Sequence, residues 1–91
     1  MTAAQKKQLK ARGHFLKSIV ATGQLGLSAN VLAAIDLALT DHELIKIRLN
    51  SDDRADRNTQ AAQICSVTGA ELVQLIGKIA IVYRKNPGWT I

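Results

Sequence analysis

The sequence predicts an α/β fold: a compact two-layer domain with element order α-β-α-β-α-β-β around a four-stranded mixed sheet. Three observations carry this expectation. Apolar residues recur at helical spacing in two stretches, Val31, Ile35 and Leu39 in the first and Ala61, Ile64, Cys65 and Thr68 in the second. Between them Ile45, Ile47 and Leu49 alternate with Lys46 and Arg48, the pattern of a half-buried strand with a basic open face. Finally, the apolar runs Leu72 to Ile76 and Ile79 to Tyr83 are separated only by Gly77-Lys78, a two-residue hairpin connection. With 91 residues, 47% of them apolar, residues 1–91 form a single domain with one packed core.

Each element follows from local chemistry. Thr2 caps a first helix over Ala3 to Arg12, with Gly13 as its stop. On that helix Lys6 and Lys10 share a face with Lys7 beside them, while Leu9 points inward and Arg12 borders it. Lys17 to Thr22 reads as a short strand, apolar on both faces at its centre and therefore interior. Ser28 caps the second helix, which ends near Asp41, and the alternating strand runs from Glu43 to Asn50. Asp52 or Asp53 caps the third helix, Asp56 favours its dipole from the first turn, and Gly69 stops it. Helices between strands argue for parallel pairing, and the final hairpin adds an antiparallel pair. Because Lys46 and Arg48 keep one sheet face polar, the helices are expected mainly on the other. The tail, residues 86–91, reads as a turn at Asn86-Pro87-Gly88 and a short flexible end carrying Trp89.

Charge is the first functional signal. The net charge is +5, yet residues 1–35 hold five bases (Lys6, Lys7, Lys10, Arg12, Lys17) and no acid, while the remainder holds seven of each. The whole excess sits in the N-terminal third, as for a surface that faces phosphate. The second signal is Gly23-Gln24-Leu25-Gly26, placed between the first strand and the capped start of the second helix. A glycine-bracketed turn feeding a helix N-terminus lets backbone N–H groups approach a phosphate, and the helix dipole favours the anion there. Together these point to a phosphodiester backbone as partner. Lys46, Arg48, Lys78 and Arg84 extend the basic surface if the strand order places them on the same side. Phe15, Tyr83 and Trp89 are the only aromatics, so base stacking is not expected to be the main source of affinity.

Other function classes find little support. His14 and His42 lie far apart, no Cys/His group has metal-ligand spacing, and no Ser/His/Asp or Cys/His set emerges. The glycine segment lacks the Lys-Ser/Thr ending of a P-loop. Neither an enzyme activity nor a metal, cofactor or small-molecule substrate is expected. Cys65 stands alone in an apolar helical run, which fits a buried small residue in a reducing compartment. A polar, basic N-terminus and the lack of any apolar stretch of membrane-spanning length lead to the expectation of a cytoplasmic monomer without membrane contact.

Several segments in order resemble the CRM-domain family, named for chloroplast RNA splicing and ribosome maturation, and in particular its stand-alone bacterial YhbY-like members. They are Gln5-Lys6-Lys7-Gln8-Leu9-Lys10, Gly23-Gln24-Leu25-Gly26-Leu27-Ser28 and His42-Glu43-Leu44-Ile45-Lys46, followed by Thr68-Gly69-Ala70, Val73-Gln74-Leu75-Ile76-Gly77-Lys78 and Val82-Tyr83-Arg84. The resemblance implies a fold similar to the C-terminal domain of bacterial translation initiation factor three. It also implies association with precursor large ribosomal subunits, and a KH-like use of the GxxG loop, here Gly23 to Gly26, as the rRNA contact. Related domains in plants serve intron splicing, so an intron-splicing or translation-associated RNA cofactor is the alternative, beside a basic protein-interaction module. This chain has Ser18 where the family usually has Pro, and Leu25 where Asn is common. A leucine donates no side-chain hydrogen bond, so the loop's contact would rest on backbone N–H groups and apolar packing.

Overall fold

The computed structural model describes residues 2–22 and 26–86. Its elements are α1 (Ala3–Gly13), β1 (Ser18–Ala21), α2 (Ala29–His42), β2 (Leu44–Arg48), α3 (Arg54–Thr68), β3 (Glu71–Ile76) and β4 (Ile79–Tyr83), in the predicted order. The predicted caps are in place. Thr2 accepts from the Gln5 N–H while the Gln5 side chain accepts from the Thr2 N–H, a complete capping box. Ser28 caps α2 through the Val31 N–H, Asp53 caps α3 through the Ala55 N–H, and Gly69 closes α3 at φ 74°. Gly77 takes φ 54° at the hairpin, a value that favours glycine.

The sheet order is β1-β2-β4-β3. β1 pairs parallel to β2, β2 antiparallel to β4, and β4 antiparallel to β3, so the hairpin strand β4 inserts between β2 and β3. β1 is therefore an edge strand, not the interior strand that its apolar centre predicts. Val20 packs into the core beneath α2, but Ile19 remains 51% exposed on the opposite face. Its two apolar faces have different causes: one packs the core and the other lines a groove.

α2 and α3 cover one sheet face, where Ile35, Leu39 and Ile64 meet Ile45, Ile47, Ala80 and Val82 in the main core. The two-layer expectation needs one correction. α1 lies across the other face, where Leu9 joins Leu44, Val73 and Ile81 in a second, smaller cluster. It covers only part of that face and leaves Ile76 half exposed.

Gly13 makes this seating close. It is the last residue of α1 and not its left-handed stop; His14 follows with helical angles. A Cβ on Gly13 would stand 2.7 Å from Ile81 Cδ1 and 3.0 Å from Ile81 Cγ2. Gly13→Val is accordingly expected to overpack the α1–β4 contact and cost about 1–3 kcal/mol, read as a lower denaturation midpoint at an unchanged m-value.

Candidate nucleic-acid interface

The loop residues Gly23, Gln24 and Leu25 lie outside the described residues, but both of the loop's supports are visible. Thr22 is buried at the exit of β1 and its N–H donates to the Arg48 carbonyl. Asn50 then clamps Thr22 from both sides, its N–H donating to Thr22 Oγ1 at 2.9 Å and its Nδ2 to the Thr22 carbonyl at 2.7 Å. Arg48 Nε donates to Asn50 Oδ1 at 3.0 Å, which holds an exposed guanidinium beside the loop stem. On the far side Gly26 has φ 77°, a conformation that a side chain would strain, and leads into the Ser28 cap of α2. The first turn of α2 carries no acidic residue, so its dipole is open to an anion.

The predicted cations separate into two groups. Lys6, Lys7, Arg12 and Lys17 are exposed and Lys10 is half-buried; among the described residues none of these five forms an ion pair. Lys46 is half-buried at the centre of β2, opposite Ser18 in β1 and Ile81 in β4, and is likewise unpaired among the described residues. Lys78 and Arg84 differ. Lys78 Nζ lies 2.6 Å from Asp52 Oδ1, and this ammonium, by hydrogen bond and then by charge, holds the Asp52 carboxyl below the usual carboxylate range. Arg84 pairs with Asp36 at 2.5 Å and also donates to the Thr68 carbonyl, the Asp36 carbonyl and Thr40 Oγ1. That side chain fastens the ends of α2 and α3 to β4, so the structure gives Arg84 the role of a structural tie.

Where α1 meets the start of β1 and β2, the structure opens a groove of about 480 Å³. Arg12, Lys17, Lys46 and His42 stand around it with Phe15 and Ile19, and among the described residues no carboxylate lines it. Three of the predicted cations thus converge at one place, away from the loop stem and at the opposite end of β1. A smaller cavity of about 210 Å³ continues from Lys46 across the open sheet face past Gln74 and Ile76.

Sequence reasoning missed Asn50, His42 as a groove residue, and above all Phe15, which is 90% exposed. A signal for Phe15 existed: it follows the end of α1 in a polar stretch and belongs to no apolar stripe. Cys65 packs partly against the main core, where burial and then the Glu71 charge push its thiol up, away from thiolate chemistry. Among the described residues there is no cluster of metal-ligating side chains and no helix long and apolar enough to cross a membrane.

Comparison with known proteins identifies relatives of the chain in sequence and in fold. A probable RNA-binding protein of Pseudomonas aeruginosa is 47% identical over 87 residues, covering 96% of this chain and 84% of the relative. An RNA-binding protein of Haemophilus influenzae is 39% identical over 86 residues, covering 94% and 87% of the two chains. The solution structure of a hypothetical protein from Staphylococcus aureus, proposed to bind RNA, superposes with a TM-score of 0.85 at 31% identity, covering 94% of this chain and 90% of the other. With such relatives in sequence and fold, and a match to the family model over residues 1–84, the chain belongs to the CRS1/YhbY (CRM) domain family.

Proposed function

We propose that this chain is a cytoplasmic RNA-binding protein that associates with precursor large ribosomal subunits and assists their assembly. It holds the sugar-phosphate backbone of rRNA through the Gly23 to Gly26 loop and the basic face of α1. The observation that carries the reading is the cluster of cations on and around α1, in a stretch of sequence without an acid. The cations of α1, Lys17 and Lys46, unpaired among the described residues, stand on the side of the sheet away from α2 and α3, whereas Lys78 and Arg84 have carboxylate partners. Relatives named as RNA-binding proteins favour RNA over other polyanions, and the family resemblance favours the large subunit. With few aromatics, structured rRNA read by shape suits this surface better than a short sequence motif.

Two measurements test the reading. In a sucrose gradient of cell lysate, the protein is expected to sediment with large-subunit precursors and to leave them after ribonuclease treatment. Sedimentation as free protein at low salt would remove the ribosomal assignment. In direct binding assays, the double variant Gln24→Asp, Leu25→Asp is expected to lose RNA affinity by about tenfold or more, since each charge sits among phosphates. Equal affinity of variant and parent would remove the loop from the interface. Association with a partner protein that survives both nuclease and the loop variant would favour the protein-interaction module instead.

A further inference from the structure

The geometry points to the groove around Phe15 as a site for an unpaired nucleotide of RNA, its base stacked on the Phe15 ring and its phosphates held by Arg12, Lys17 and Lys46. This rests on the RNA-binding reading and adds a second contact, distinct from the glycine loop, that distinguishes single-stranded from fully paired RNA. A phenylalanine that is 90% exposed gains nothing from the core, so packing does not account for its place. Its backbone is nonetheless ordered: the Phe15 N–H donates to the Arg12 carbonyl at 3.2 Å and the Leu16 N–H to the Gly13 carbonyl at 3.1 Å. The ring is therefore presented by two turn hydrogen bonds directly after a helix that Gly13 seats on the sheet.

The surroundings select the occupant. The groove, at about 480 Å³, falls within the usual range of small-ligand sites. Phe15 and Ile19 give it an apolar wall for a base, and Arg12, Lys17 and Lys46 give it cations, with no lining carboxylate among the described residues. An aromatic platform beside a basic track is the arrangement that binds single-stranded nucleic acid with little sequence preference. Ile19, which lines the groove, lies three residues before Thr22 at the loop stem, roughly 10 Å at about 3.3 Å per residue. One RNA strand can therefore run along the edge of the sheet and touch both. An A-form duplex keeps its bases stacked internally and has none to offer the ring.

The test uses the single phenylalanine of the chain. In protein labelled at Phe, one set of ring signals reports on this site alone, and an unstructured uridine oligonucleotide is expected to move those signals upfield by ring-current shielding. Phe15→Ala is expected to bind that oligonucleotide about tenfold more weakly than the parent while binding a blunt RNA duplex equally well, and Phe15→Trp is expected to retain parental affinity. If the parent binds RNA but the ring signals stay in place and Phe15→Ala matches it on single strands, the groove is not a nucleotide site and the RNA-binding reading stands. Ring signals that move with an acidic peptide but not with the oligonucleotide would overturn the proposal in favour of a protein partner. A parent that binds neither RNA would overturn both readings.

Discussion

Changing Lys6, Lys7 and Lys10 together to Gln is expected to flatten the salt dependence of RNA binding. Each phosphate contact contributes a slope of about 0.7 on single strands and about 0.9 on duplex in a plot of log affinity against log salt. Loss of three contacts therefore lowers the slope by up to about 2–2.7. The fold should tolerate the change, because Leu9, not the lysines, carries the packing of α1 against Val73 and Ile81, and Gln is nearly as good a helix former as Lys. The capping box at Thr2 and Gln5 is untouched. Lys78→Gln provides the contrast. Its ammonium already has a carboxylate partner in Asp52, so it is expected to change the slope by less than one contact. An unchanged slope in the triple variant, with native circular dichroism, would show that α1 faces away from the RNA.

That contrast also marks what local sequence can carry. The basic character of α1 was legible because no acid occurs within the first 35 residues, so no neighbour on the helix could neutralise it. The fates of Lys78 and Arg84 were not legible, because their partners lie 26 and 48 residues away in sequence and meet them only through the tertiary fold. The same division runs through the architecture. Ser28, Asp53 and Gly69 act within one turn of chain, and the helix ends they imply are found. Strand order depends on non-local pairing, and the insertion of β4 between β2 and β3 leaves β1 at an edge against expectation.

Gly13 and Phe15 show a related ambiguity at the site itself. A glycine at the end of a helix has two physical uses, a left-handed turn or a close approach, and only the distance to Ile81 decides for the second. A lone aromatic in a polar stretch is read by default as core, since most aromatics bury their rings. Here the close seating of α1 through Gly13 puts the next turn outside the sheet, and the ring with it.

Arg84→Gln is expected to reduce stability and leave RNA affinity unchanged, the reverse of the lysine triple. The guanidinium serves acceptors from three residues: the carboxylate and carbonyl of Asp36, Thr40 Oγ1 and the Thr68 carbonyl. Nearby, Glu43 takes φ 61°, a strained value for this residue, and its carbonyl accepts from the Arg84 N–H while its carboxylate accepts from the Asn86 N–H. Asn86 Nδ2 in turn donates to the carbonyls of Leu39 and Thr40 at the end of α2. The helix end thus depends on a polar network in which Arg84 supplies the charge. The Arg84 side chain is only 21% exposed while Asp36 is 58% exposed, so solvent recovers part of the loss on the acidic side but little at the Thr68 carbonyl. Hydrogen bonds from a charged donor contribute about 1.5–3 kcal/mol, and a net cost of about 2 kcal/mol follows for the variant. For a domain of this size that lowers Tm by roughly 8–16 °C. A Tm within about 2 °C of the parent would remove the structural tie, and a lower salt slope of RNA binding in the folded variant would place Arg84 in the interface.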